Sequence, residues 1–158
     1  MSKLGVTPSQ TVGPFFHPGM LRDSVPRHVL VQPETLGERV RVDGRILDGA
    51  GDPVSDAFIE VWQANSFGRY ALPADDSDAP LDPTFTGYGR IETDASGRFW
   101  FETIKPGPVR FDGVRMQAPH ISVSVFARGL LNHLVTRMYF GDDPANDAVL
   151  VMNVPTAL

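Results

Sequence analysis

From Glu38 onward the chain is a series of short runs in which apolar and polar residues alternate, separated by turn-forming residues. Runs such as 39–47 and 120–126 have a period of two, which is the period of a strand with one buried face. Clusters rich in glycine, aspartate and proline, such as 48–53 and 94–97, interrupt them as turns do. About seven short strands of this kind predict an all-β fold, an antiparallel β-sandwich.

The turn signals also predict two local features. Residues 88–93 and 98–104 flank the turn at 94–97, and we expect them to pair as a β-hairpin. Residues 144–150 are the part of the pattern that favours a short helical turn.

Residues 1–36 carry no sustained period, and we expect them to be an extended N-terminal arm, with the sandwich domain formed by 37–158. Pro8 and Pro14 fix an extended path within the arm, because proline removes a backbone donor and restricts the residue before it. Phe15 is apolar and needs cover. The arm therefore either folds onto its own domain or lies on a neighbouring chain.

Charge and cysteine content exclude several classes of function. The net charge of −5 argues against nucleic acid or an anionic membrane as a partner. The absence of cysteine excludes disulfides, thiolate metal sites and a cysteine nucleophile. The first residues lack the apolar core of a secretory signal, and no apolar run reaches the roughly 18 residues that span a bilayer. We therefore expect a cytoplasmic protein.

Sequence motifs for common enzymes are missing, and two residues stand out instead. The chain contains no glycine-rich phosphate loop, no G-x-S-x-G and no H-E-x-x-H. His120 lies on an alternating strand, where a half-buried, hydrogen-bonded histidine is the simplest interpretation. Arg128 ends an apolar strand beside a glycine and has no obvious local partner. It is either a surface arginine at a strand end or a fork of donors presented to a carboxylate.

Several motifs, in the right order, resemble the intradiol ring-cleaving dioxygenases. They are Ile-Glu-Val-Trp-Gln-Ala at 59–64, Gly-Arg-Tyr at 68–70, Thr-Ile-Lys-Pro-Gly-Pro at 103–108 and Ala-Pro-His-Ile at 118–121. The segments 7–14 and 126–130 resemble more closely the alpha subunit of the two-subunit members of that family. The resemblance extends from Thr7 to about Pro155, and it implies the β-sandwich of the intradiol dioxygenase type.

The resemblance also implies that the catalytic subunits of this family hold a non-haem Fe(III) through two tyrosines and two histidines. Carried across, one tyrosine and one histidine are retained, as Tyr70 and His120, whereas Val109 and Ser122 stand at the other two ligand positions. Gln117 replaces an arginine of the family motif. Valine has no donor atom and serine is a poor ligand for iron. We therefore expect this chain to bind no metal and to contain no catalytic residue.

What the resemblance implies is a shared active site. A homologous beta subunit would hold the Fe(III), in a hetero-oligomer of αβ units, and would use O₂ to cleave a catecholic acid, protocatechuate, to 3-carboxy-cis,cis-muconate. This chain would line the substrate pocket with Thr11, Gly13, Pro14, Phe15 and Arg128. Phe15 stands where the family often has a tyrosine.

Three alternatives remain open. A self-sufficient iron dioxygenase is disfavoured by Val109 and Ser122, and Tyr88 and Tyr139 are expected on strands away from the ligand segment. A non-enzymatic β-sandwich binding module would show a surface aromatic platform and an export signal. A lone pseudoenzyme without a beta partner is the third.

Overall fold

The structure, a computed structural model, describes residues 5–11, 20–21, 28–112 and 114–148, without the side chains of 147 and 148. Within these ranges the chain forms strands and one short 3-10 helix. They are β1 (Arg39–Arg45), β2 (Phe58–Trp62), β3 (Tyr88–Glu92), β4 (Arg98–Ile104), β5 (Val109–Asp112), β6 (Arg115–Gln117), β7 (His120–Phe126), β8 (Leu134–Tyr139) and the helix Pro144–Ala148. The predicted all-β class is confirmed, as is the helical turn near residue 144.

The strands form three antiparallel sheets. The larger one has the order β3-β2-β7-β8, a second pairs β1 with β4, and β5 and β6 form a small hairpin. The four-stranded sheet and the β1–β4 pair face each other across a common core, which is the sandwich that the alternation predicts.

The core consists of the inward-facing apolar residues of both sheets. Ile59 of β2, Ile91 of β3 and Ile121 of β7 pack in one cluster with Phe101 and Ile104 of β4. Each is almost completely buried, and burying a side chain of this size contributes roughly 1.5–3 kcal/mol. The outward faces of β2, β3, β7 and β8 are left to carry polar and aromatic side chains, and the candidate site lies there.

The hairpin expected from 88–93 and 98–104 is wrong, although its turn forms. Gly97 donates its backbone N–H to the carbonyl of Asp94 at 2.9 Å and adopts a φ of 72°, which favours glycine. β3 pairs with β2, however, and β4 pairs with β1. Alternation specifies which face of a strand is buried but not which strand is its neighbour, and here Ile91 and Phe101 enter the core from opposite sheets.

Part of the segment expected to be an arm contacts the sandwich. Leu30 donates its N–H to the carbonyl of Glu102 at 2.9 Å, and Glu102 donates to the carbonyl of His28 at 2.7 Å. Leu30 is buried in the core, and the His28 ring stacks on Trp100 with centroids 4.6 Å apart. Residues 28–30 thus lie along the edge of β4. The arm boundary at residue 36 stays a prediction.

Among the described residues, none of the helical structure is long and apolar enough for a membrane span.

Candidate functional site

Arg128 lies just beyond the end of β7, at the edge of the larger sheet. Its neighbour Ala127 is buried, whereas the Arg128 side chain is 71% exposed. The sequence suggested no local partner, and the structure supplies one: Arg128 Nε lies 3.3 Å from Asp56 Oδ2. The guanidinium is therefore held at its Nε side and open to solvent elsewhere.

Thr11 of the N-terminal arm lies beside Arg128. The backbone N–H of Gly129 donates to Thr11 Oγ1 at 2.7 Å, across 118 residues of sequence. Two of the residues expected at the substrate pocket, Thr11 and Arg128, are thus brought together at one strand end. The other three, Gly13, Pro14 and Phe15, lie outside the described residues.

A small recess opens next to this strand end. It has a volume of about 210 Å³ and is lined by Gln10, Phe126, Ala127, Leu130, Leu131, Asn132 and His133. The His133 ring stacks on Phe126, with centroids 5.0 Å apart. Sequence reasoning did not place His133 and Gln10 at this recess, because His133 lies seven residues from Phe126 across a turn and Gln10 comes from the arm.

Two of the four ligand positions inferred from the resemblance share a cleft. Tyr70 and Val109 line a space of about 460 Å³ together with Gln117. Val109 and Gln117 are directly paired in the β5–β6 hairpin. The Tyr70 ring lies parallel to Trp62, with centroids 6.0 Å apart and an interplanar angle of 7°. Burial raises the pKa of the Tyr70 phenol, so it remains protonated at neutral pH.

The other two ligand positions, His120 and Ser122, lie on β7. His120 is only 2% exposed and its Nδ1–H donates to the carbonyl of Ala118 at 2.8 Å. Burial lowers the pKa of His120, so the imidazole is neutral at neutral pH. The hydrogen bond agrees with the interpretation from the strand pattern, but His120 is almost completely buried where a half-buried histidine was expected. Ser122 pairs with Trp62 on one side and with Arg137 on the other.

Arg137 of β8 places a permanent positive charge among these positions. Its Nη1 donates to Gln117 Oε1 at 2.7 Å, and its backbone is directly opposite Ser122. Its charge also acts to lower the pKa of both Tyr70 and His120, although burial is the larger influence on each. Sequence reasoning missed Arg137. The signal that could have found it is the glutamine at 117, where an arginine was expected, because the two positions hydrogen bond to each other.

The expectation that Tyr139 lies away from the ligand segment is wrong. β8 folds back on β7, so Tyr139 is the direct cross-strand partner of His120, and their rings are 5.8 Å apart. Tyr88 lies against Trp62 at 5.7 Å, and its hydroxyl donates to Glu60 at 2.9 Å. Alternation along a strand does not reveal which residue it faces on the next one.

The residues present do not fit a ferric ion. Val109 offers no donor atom, and a serine hydroxyl such as that of Ser122 is a poor ligand for a ferric ion. In the described part of the chain, no group of three or more histidine, aspartate or glutamate side chains is close enough to hold a metal. The site is therefore a polar and aromatic cleft that carries a guanidinium.

Comparison with known proteins gives consistent matches along the chain. The family model described as "Dioxygenase" matches residues 12–156. The protocatechuate 3,4-dioxygenase alpha chain of Burkholderia cepacia is 40% identical over 167 residues, covering 99% of this chain and 81% of that one. The alpha chain of Pseudomonas putida is 39% identical, covering 94% of this chain and 76% of that one.

A beta chain and a solved structure are also similar. The protocatechuate 3,4-dioxygenase beta chain of Burkholderia cepacia is 45% identical over 128 residues, covering 80% of this chain. The present chain spans 54% of that beta chain's length. The dioxygenase domain of a dioxygenase carbohydrate-binding protein fusion from Streptomyces sp. SirexAA-E is 32% identical, with a TM-score of 0.63, covering 90% of this chain and 79% of that one.

Proposed function

The chain belongs to the intradiol dioxygenase family, and from that membership we propose that it is the subunit without metal, the alpha type, of a protocatechuate 3,4-dioxygenase. One observation carries the proposal: Val109 and Ser122 stand at two of the four positions where the family holds its iron, and Val109 has no donor atom. A chain that offers half of the ligand set would leave the iron to a partner subunit.

Similarity to the beta chain is the main argument for a different assignment, because its identity of 45% exceeds that of the alpha chains. That match covers 80% of this chain, whereas the alpha match covers 99% and so includes the arm. An iron-binding subunit would also need donors at Val109 and Ser122. The ligand positions therefore support the alpha type.

In the proposed enzyme a homologous beta subunit holds Fe(III), which supplies the activation of a catecholate toward O₂. The product of protocatechuate would be 3-carboxy-cis,cis-muconate. The residues of this chain make no bond to the reacting atoms.

Arg128 would bind and orient the substrate carboxylate. Its side chain is 71% exposed at a strand end, and a planar guanidinium can give a carboxylate two parallel hydrogen bonds. The overall charge of −5 would repel an anion, so a local cation at the pocket mouth is needed for attraction and orientation.

Thr11 and the arm residues that follow it would form the wall of the pocket. The hydrogen bond from Gly129 to Thr11 fixes where the arm meets the strand end. Gly13, Pro14 and Phe15 would then cover the substrate ring and exclude water from it. The restricted backbone around Pro14 suits a wall that must keep its shape.

Co-expression with a beta-type chain that carries the two tyrosines and two histidines tests this function. We expect a stable complex that oxidises protocatechuate and contains iron in proportion to the beta chain alone. The present chain purified by itself should be inactive. Failure to form a complex would support the lone pseudoenzyme, and iron-dependent activity of the isolated chain would contradict the proposal.

A further inference from the structure

We propose that Asp56 is a positioning residue for Arg128 and determines which edge of the guanidinium meets the substrate carboxylate. This inference rests on the proposed function, because it concerns the same substrate and the same arginine. Nothing in the family motifs singles out Asp56. It is the ion pair between Asp56 Oδ2 and Arg128 Nε, at 3.3 Å, that points to it.

Asp56 is anchored by the chain that follows it. Ala57 is completely buried, its N–H donates to Thr93 Oγ1 at 3.1 Å, and its carbonyl accepts the N–H of Thr93 at 3.0 Å. Asp56 Oδ1 is buried without a hydrogen-bond partner, and Oδ2 contacts the arginine. The backbone that carries the carboxylate is therefore held at the rim, and the contact of the carboxylate there is the one with Arg128.

A guanidinium has two edges that fit a carboxylate. One edge combines Nε with one Nη group, and the other combines the two Nη groups. Since Asp56 takes Nε, the first edge is occupied by the protein itself. The edge formed by the two Nη groups is left for an incoming carboxylate, which must then approach along the axis of the side chain.

The same contact lies next to the arm. Arg128 is followed by Gly129, which has a φ of 82° and donates its N–H to Thr11. The arginine is thus held through its side chain by Asp56, while its neighbour in the backbone is bonded to the arm. An oriented end-on edge beside the pocket wall would select substrates whose carboxylate is in line with it.

Removing Asp56 allows positioning to be separated from electrostatic attraction, because the two predict opposite results. If Asp56 acted through its charge alone, neutralising it would strengthen the attraction of an anionic substrate and lower KM. If Asp56 holds the guanidinium, the same change would free the side chain and raise KM. The sign of the change therefore decides.

The test uses the complex with the beta chain and the variants Asp56→Asn, Asp56→Ala and Asp56→Glu. We expect Asp56→Asn and Asp56→Ala to raise KM for protocatechuate about threefold to fivefold with little change in kcat, within the range of an exposed ion pair. Asp56→Glu, which keeps the negative charge, should have a KM close to that of the wild type. The inhibition constant of catechol, which lacks the carboxylate, should not change.

Asp52→Asn is the matched control, because Asp52 lies four residues earlier in an exposed turn and loses the same charge. It should lower KM slightly or leave it unchanged. A fall in KM for Asp56→Asn like that of the control, or no change, would overturn the inference. The unfolding temperatures of all variants show whether Asp56→Asn destabilises the fold. If it does, the KM of Asp56→Glu is compared with that of the wild type instead.

The double variant Arg128→Ala with Asp56→Asn distinguishes this inference from the proposed function. If Asp56 acts by holding Arg128, adding Asp56→Asn to Arg128→Ala should not raise KM further. If Asp56→Asn raises KM as much in Arg128→Ala as in the wild type, Asp56 acts elsewhere. If Arg128→Ala alone leaves KM unchanged, the carboxylate role of Arg128 fails. If Arg128→Ala raises KM but Asp56→Asn does not, only the positioning role of Asp56 fails.

Discussion

Gly129 N–H and Thr11 Oγ1 are joined by a hydrogen bond of 2.7 Å that connects the N-terminal arm to the end of strand β7. The residue before Gly129 is Arg128, so this one contact places the arm next to the arginine proposed to bind the substrate. The two parts of the chain are 118 residues apart in sequence. Their meeting brings the arm to the strand end where the wall of the substrate pocket is proposed.

Thr11→Val should loosen the arm at this point, because valine has nearly the same shape but cannot accept the hydrogen bond. A bond of this kind contributes about 1 kcal/mol, so we expect KM for protocatechuate in the complex to rise by up to roughly fivefold. Limited proteolysis of the arm should also become faster. Thr11→Ser keeps the hydroxyl and should behave like the wild type. Equal effects of the two variants would contradict the role of the bond.

Arg128→Ala should raise KM more than it lowers kcat. The arginine is proposed to bind the carboxylate equally in the ground and transition states, and losing such uniform binding appears in KM. A hydrogen bond to a charged group contributes about 1.5–3 kcal/mol, so a rise of roughly tenfold or more is expected. Arg128→Lys should recover part of it, because a point charge lacks the planar fork. Steady-state kinetics at constant ionic strength measure this, and an unchanged KM would contradict it.

Restoring the two missing donors should restore iron binding. The double variant Val109→Tyr with Ser122→His supplies the phenolate and the imidazole that positions 109 and 122 lack. We expect appreciable iron, with a visible tyrosinate absorption band, in the double variant and much less in either single variant. Val109→Phe with Ser122→Gln adds bulk at the same positions without a phenolate or an imidazole, and should bind no iron. A folded double variant without iron would show that these two positions do not account for the loss.

Folding stability should fall as the pH decreases below about 6.5, the ordinary pKa of histidine. Burial lowers the pKa of His120 in the folded chain, so between the two pKa values the unfolded state binds the extra proton and is favoured. The contribution of His120 to folding stability is complete above its pKa in the unfolded chain. It is lost as the pH falls toward its pKa in the folded chain, and the free energy of unfolding then changes by at most about 1.4 kcal/mol per pH unit.

Denaturant unfolding at several pH values between 5 and 8 measures this dependence (an interval of about one to two pH units on either side of an ordinary histidine pKa). His120→Gln removes the titrating group and should flatten the curve in that range. His133→Gln, at a position that is exposed, is the control and should leave the dependence in place. A wild-type stability that does not change over the interval would contradict the burial argument.

The order and type of most strands could be predicted from alternation and turn residues, because both depend on nearby positions. Which strands pair with each other could not be predicted in this way. β3 and β4 follow each other through a well-formed turn, yet they belong to different sheets, since Ile91 and Phe101 face each other across the core. The β5–β6 hairpin was missed because its strands are only four and three residues long.

The sequence could nominate candidate residues where a family motif fixes the position, as for Arg128, Tyr70 and His120, and their roles stay predictions. Asp56 and Arg137 were not predictable in the same way. Each acts through a contact distant in sequence, Asp56 with Arg128 and Arg137 with Gln117. Neither belongs to a motif, and both are charged residues of a kind that usually points into solvent.

Iron content per chain tests the central claim most directly, because the claim is that this subunit contributes to a ferric site without holding the metal. The chain would be purified alone and in complex with a beta-type chain, both after growth in iron-rich medium, and analysed for metal and for the tyrosinate absorption band. We predict negligible iron in the isolated chain and iron equal to the number of beta chains in the complex. Stoichiometric, tightly bound iron in the isolated chain would contradict the account.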